Sequence, residues 1–332
     1  MKNLIMLLLI SCFLLSIESC QWSNKDSKSA TTVEIKVDVP EFDADKAYQF
    51  IQEQVDFGPR VPNTQQHVEC GEYIAQKLKE FGAVVTNQYA DLIAYNGTIL
   101  KSRNIIGSYK PETKKRIALF AHWDTRPWAD NDRNKSNHYK PVLGANDGAS
   151  GVGVLLEIAR QINMQAPELG IDIILVDAED YGEHRQESPS YKEEAWGLGS
   201  QYWARYPHVE KYNARFGILL DMVGGKDATF YKEGYSEHFA PDVNKKVWKA
   251  AKKLGYNKFF VNEKTGSVTD DHLFVNRIAH IPTIDIVPNI VNAQHSSFGD
   301  FWHTVHDDMS NISKETLKAV GQTILTVIYN EQ

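Results

Sequence analysis

Four short apolar runs constrain this chain more than any other feature: Arg116–Ala121, Ile171–Val176, Phe216–Leu220 and Ile281–Val287. Each is bounded by polar or turn residues and holds few alternating polar residues. A strand with one wet face would alternate, so runs of this kind belong to a sheet covered on both faces. Helix-period stretches separate them: Ala149–Ile162, Ser200–Arg205, Pro241–Leu254 and Asp270–Arg277. Two more, Asp43–Phe57 and Gln65–Phe81, come first, and Ser313–Tyr329 comes last, with Ser313 as a natural N-cap. Cys70 lies on one helical stripe with Ile74, Leu78 and Phe81, which predicts a buried thiol rather than a nucleophile. Strands alternating with helices predict an α/β fold: one three-layer domain over residues 41–332, a mostly parallel central sheet flanked by helices.

Composition narrows the function. The 332 residues carry 36 Lys plus Arg against 43 Asp plus Glu, a net charge of −7. A nucleic-acid partner would need a basic face, so none is expected. The three cysteines, Cys12, Cys20 and Cys70, leave only Cys70 in the body, which excludes an all-cysteine zinc site or a disulfide there. A monomer is the expected state.

The N-terminus reads as an export signal over residues 1–19. Lys2 precedes an apolar run from Leu4 to about Leu15, too short to span a bilayer. The following Ser16-Ile17-Glu18-Ser19-Cys20 resembles a bacterial lipobox. That resemblance implies an acylated Cys20, a flexible tether over residues 20–40 reaching roughly 25 Å from the membrane, and a periplasmic lipoprotein of the bacterial cell envelope.

In open α/β sheets, ligands sit beyond the carboxyl ends of the strands. There this chain places His122-Trp123-Asp124, then Asp177-Ala178-Glu179-Asp180, then Asp221, then, through a loop, Trp302-His303. Asp147 lies in the loop Gly144–Gly148, and Asp270-Asp271-His272 opens a helix. Acids crowded onto one rim repel and would protonate. A divalent cation removes that conflict, and carboxylates with imidazole suit Zn²⁺.

The order H-x-D, Asp in a Gly-rich loop, an acidic pair, Leu-Leu-Asp and a late His resembles the zinc aminopeptidase-like superfamily. Three further segments resemble its glutaminyl cyclase branch, above all the bacterial lipoprotein-type enzymes: Phe57–Thr64, Asp270-Asp271-His272-Leu273-Phe274 and Phe298–Thr304. The resemblance covers about residues 43–330. It implies one zinc per chain, held by Asp147, Asp180 and His303, with Glu179 as the acid/base. It implies that Asp221 and Asp270 share a proton and that His122 orients this network rather than holding metal. The implied reaction closes the N-terminal glutamine of a peptide or protein to pyroglutamate and releases ammonia. That reaction consumes no water, so dry aromatic walls are expected from Trp302, Phe298 and Trp196. The chain departs from the animal enzymes in having Glu179-Asp180 where they have Glu-Glu. It also lacks their disulfide, and it supplies Trp196 from a longer loop.

Two other readings stay open. A two-zinc aminopeptidase would use His122 and Asp221 for a second metal, with Asp147 bridging. A metal-free peptide-binding module would be expected to have lost ligands, whereas Asp147, Glu179, Asp180 and His303 are all present.

Overall fold

The computed structural model describes residues 38–187 and 191–331. The expected signal segment, the Cys20 anchor and most of the tether lie outside them. Helices α1 (Ala44–Val55) and α2 (Gln65–Glu80) come first. The Asp43 and Thr64 side chains cap them by accepting hydrogen bonds from first-turn amides. A hairpin follows, β1 (Val84–Ile93) and β2 (Ile99–Tyr109). Then come β3 (Arg116–His122), α3 (Ala149–Met164), β4 (Gly170–Val176), α4 (Leu198–Arg205) and β5 (Gly217–Leu220). The chain continues through β6 (Phe230–Lys232), α5 (Gly234–Phe239), α6 (Pro241–Lys253), β7 (Phe260–Lys264), α7 (Asp271–Phe274), β8 (Thr283–Ile286) and α8 (Lys314–Asn330).

Among the described residues the main sheet has six strands in the order β1-β2-β4-β3-β5-β8. Strands β4, β3, β5 and β8 run parallel, while β2 and β1 add an antiparallel edge. Alternate residues face opposite layers. Leu119, Ile173, Ile218 and Ile284 pack under α1, α3, α6 and α8. Phe120, Ile174 and Leu219 pack against Trp203 of α4 and Val275. The sheet is thus buried on both faces, as its apolar runs require.

The four expected strands are β3, β4, β5 and β8. The β1–β2 hairpin adds two strands to the four read from the sequence: β1 is an edge strand, and the first half of β2 carries Lys101, Ser102, Arg103 and Asn104, which break up its apolar signal. Residues of β1 alternate between half-buried and exposed, so Thr86, Asn87, Gln88 and Asp91 interrupt the apolar signal. The expected helix Asp270–Arg277 is also divided, into α7 and a π-helical turn over Val275–Ala279.

Two features of the topology place the site. All four parallel strands end on one rim. Connections leave β3 toward β4 but leave β5 toward β8, so the crevice where strand order reverses opens between β3 and β5. No helix among the described residues is long and apolar enough to cross a membrane.

Candidate metal centre

The crevice is filled from both sides. His122 ends β3 and Asp221 follows β5, and His122 Nε2 lies 3.0 Å from Asp221 Oδ1 and 3.1 Å from Asp147 Oδ1. Asp124, two residues beyond His122, is fully buried. Its two oxygens accept the amides of Glu179 and Asp180, both at 3.1 Å. This holds the acidic pair at the end of β4, where Ala178 turns the chain at φ 52°. The loop carrying Asp147 is held in the same manner. Asp307 accepts from the amides of Asn146 (2.8 Å) and Asp147 (2.9 Å), and Arg60 donates to the carbonyls of Leu143 and Gly144. Gly148 there sits at φ 101°, and a Cβ would lie 2.4 Å from the Asp124 carbonyl, so no other residue fits.

These supports bring two sets of donors together. Asp147, Asp180 and His303 place one atom each within 4.8 Å of one another, and so do His122, Asp147 and Asp221. Asp147 belongs to both. His303 Nε2 is 3.1 Å from Asp180 Oδ1 and 3.5 Å from Asp147 Oδ2. Its backbone lies in the left-handed region at φ 54°, a conformation that non-glycine residues keep where the surroundings enforce it.

Burial drives the electrostatics. It pushes Asp180 up to about 8 and raises Asp147 and Asp221. It pushes Glu179 well above the usual carboxylate range, and Asp180, Asp270 and Asp271 add to that shift. It carries His303 down to about 3, with Arg126 assisting, so this imidazole is neutral, as a metal ligand must be. His122 goes the other way. Burial opposes its charge, but Asp221, Asp124 and Asp147 outweigh burial and raise it. Asp180 Oδ2 is buried with no hydrogen-bond partner. Two carboxylates, a neutral imidazole and an unused carboxylate oxygen fit a zinc ion with an open position.

A third set lies behind Asp221. Asp270, His272 and Asp285 also come within 4.8 Å of one another. Glu233 receives His272 Nε2 at 3.0 Å, while Asp285 is fully buried with its carboxyl against that of Asp270. Burial and Asp221 push Asp270 up to about 7. The expected Asp221–Asp270 pair therefore has Asp285 as a further neighbour. The signal for Asp285 is a lone acid inside Ile284-Asp285-Ile286, within an otherwise apolar strand.

Aromatic rings close the mouth. Trp302 stacks on His303 at 3.7 Å and 22°, and Trp196 lies nearly parallel to the same imidazole at 6.3 Å and 9°. Both line a cavity of about 430 Å³ with Tyr191 and His303. Phe298 packs against Trp302 at 5.1 Å and does not line this cavity, so it backs the wall rather than forming it.

Asp307 and Arg126 escaped the sequence reading, and Asp124 was placed on the rim without its role. Asp124 and Asp307 act through backbone amides far along the chain. Arg126, buried beside Asp130, reaches Asp180.

The chain is similar to a glutaminyl cyclase of Bacteroides thetaiotaomicron bound to N-acetylhistamine, at 69% identity and a TM-score of 0.87, over 89% of this chain and 100% of that one. It is equally similar, at 69% identity and a TM-score of 0.86 over the same shares, to a leucine aminopeptidase precursor from the same species. A glutaminyl-peptide cyclotransferase of Drosophila melanogaster is 25% identical over 78% of this chain and 73% of its own length. The chain spans about half the length of the first curated relatives it matches. Residues 104–328 match the model of peptidase family M28, and the chain belongs to that family.

Proposed function

We propose that the protein is a zinc-dependent glutaminyl-peptide cyclotransferase. The observation that carries this reading is the flat slot over the candidate ligands. The Trp302 and Trp196 rings lie near-parallel to His303, with Glu179 beside Asp180 in the same crevice. A glutamine side chain ends in a planar carboxamide, which suits the cavity lined by Trp196, Trp302 and His303. The similarity to a glutaminyl cyclase at 69% identity supports the same reading.

Asp147, Asp180 and His303 hold the metal, which when bound supplies Lewis acidity toward the γ-carbonyl oxygen. Trp196 Nε1 is buried without a partner and can donate to a substrate carbonyl. The α-amine nitrogen attacks the γ-carbon, and that C–N bond closes the five-membered lactam. Glu179 takes the proton that the amine loses. It returns that proton to the carboxamide nitrogen as the original C–N bond breaks, and ammonia leaves. A group pushed well above the usual carboxylate range suits both halves of this transfer. Asp270, Asp285 and Asp221 hold shared protons behind Glu179, and His122 fixes Asp221. The substrates are peptides or proteins with N-terminal glutamine that meet a monomeric enzyme held in the periplasm by lipid on Cys20.

A second reading, a two-metal exopeptidase, has its own support in the His122–Asp147–Asp221 set and in the aminopeptidase similarity. Incubation with a Gln-initiated and a Leu-initiated peptide separates the two. Cyclisation removes the mass of ammonia from the first. Release of free leucine from the second, with the first unchanged, rejects the cyclase.

A further inference from the structure

Arg126 is a guanidinium with almost no exposure to water, in a chain region the proposed reaction does not use. Its fork is filled. Nε and Nη2 bind the two oxygens of Asp130 at 2.9 and 2.6 Å. Nη1 donates to the carbonyl of Asp180 at 3.0 Å and toward that of Gly182 at 3.5 Å, and Nη2 donates to the carbonyl of Glu183 at 2.9 Å. Its Cζ lies over the Trp196 ring at 4.8 Å and over the Trp128 ring at 5.5 Å from the centroids. Trp196 is pressed from another direction by the Gly182 backbone, where a Cβ would come within 2.2 Å of the indole. Asp130 Oδ1 in turn stands 3.6 Å from His303 Nδ1, on the opposite side of the imidazole from Asp180.

One side chain therefore touches both halves of the centre. The carbonyl it holds belongs to Asp180, the ring it holds is the slot wall, and its carboxylate partner faces His303. An arginine does this because its planar fork binds carboxylate and carbonyls in the plane while stacking rings on its face. Lysine has no plane to offer. We propose that Arg126, clamped by Asp130, is a positioning residue that sets both the grip on the metal and the width of the aromatic slot. This deepens the reading above and rests on Asp180 and His303 as ligands and Trp196 as a wall.

The test uses the full chain with Arg126→Lys, which keeps the charge and loses the fork. Three quantities are read: zinc affinity by chelator competition, the part of the tryptophan emission that Trp196→Phe removes, and kcat and KM on a Gln-initiated peptide. Loss of a residue that orients metal ligands should weaken zinc binding by about 10–100-fold. The Trp196 emission should shift, and KM should rise more than kcat falls. Should Arg126→Lys not fold, Asp130→Asn keeps the shape and removes half of the clamp, with changes in the same directions. A lower melting temperature with zinc affinity, Trp196 emission and KM unchanged would overturn the proposal and leave a structural ion pair. Zinc affinity and emission need no turnover. A wild-type protein that never cyclises glutamine would sink the proposed function while these two readouts still decide the role of Arg126.

Discussion

Strand β4 carries a buried aspartate near its amino end, Asp172, and is followed at its carboxyl end by another, Asp180, and the two behave in opposite ways. At the amino end, Asp172 is saturated. It accepts from Ser108 (2.6 Å), Tyr212 (2.7 Å) and both sides of the Arg116 fork (2.5 and 2.8 Å). His208 beside it, together with Arg116, Ser108 and Tyr212, outweighs burial and holds its carboxyl below the usual range. At the carboxyl end, Asp180 has an oxygen with no partner, has Asp147 and Glu179 as neighbours, and is pushed up to about 8. Both are nearly out of contact with water, and they differ in how far their oxygens are satisfied. A buried acid with every lone pair used is architecture, whereas a group of buried acids with unused oxygens is poised for a cation and for proton traffic.

Replacing the proton carrier should give the largest effect. Glu179→Gln should lower kcat by ~10²–10⁴ with zinc still bound, since one general acid/base contributes about that much. Steady-state kinetics beside metal analysis checks it, and a kcat near wild type would remove Glu179 from the reaction. The contrasting variant at the other end is Asp172→Asn. It should cost ~3–5 kcal/mol of stability, the usual cost of stranding one partner of a buried ion pair, while kcat and zinc content stay put. Denaturant titration reads the stability. Zinc itself should act at one end alone. At about 100 times its Kd it should stabilise the wild type by ~2.7 kcal/mol, and His303→Ala should lose that response in a thermal shift.

The pH dependence is the sharpest form of the comparison. Asp172 has a lowered value in the folded state. Its contribution is present above about pH 4 and drains away as pH falls further. In metal-stripped protein, folded Asp180 keeps its proton to about 8, whereas the unfolded chain ionises near ~4. The folded state then binds more protons across that window, so stability falls as pH rises through it. Stripped protein should melt lower at alkaline than at mildly acid pH, and zinc should remove the difference. A flat profile would mean that Asp180 is already compensated without metal.

Much of this was legible in the chain because the signals were local. Apolar runs announced the parallel half of the sheet, and the residues directly after them supplied Glu179, Asp180 and Asp221. The β1–β2 hairpin was not legible, because the edge strand β1 spends its residues on solvent and β2 opens on the polar stretch 101–104. The supports of the site were hidden for a different reason. Asp124 serves amides 55 and 56 positions away, and Asp307 serves amides 161 and 160 positions away. Only the closed sheet makes them neighbours. Asp285 and Arg126 were visible as residues but not as participants, since an acid in a strand and an arginine in a loop announce nothing until their partners are placed.

The central claim is a single zinc held by Asp147, Asp180 and His303. Anomalous diffraction at the zinc edge, on crystals of the protein as isolated, tests it most directly. One peak bonded to those three side chains is the result this account predicts. A second peak between His122 and Asp221, with Asp147 bridging, would contradict it and turn the site into a two-metal peptidase centre.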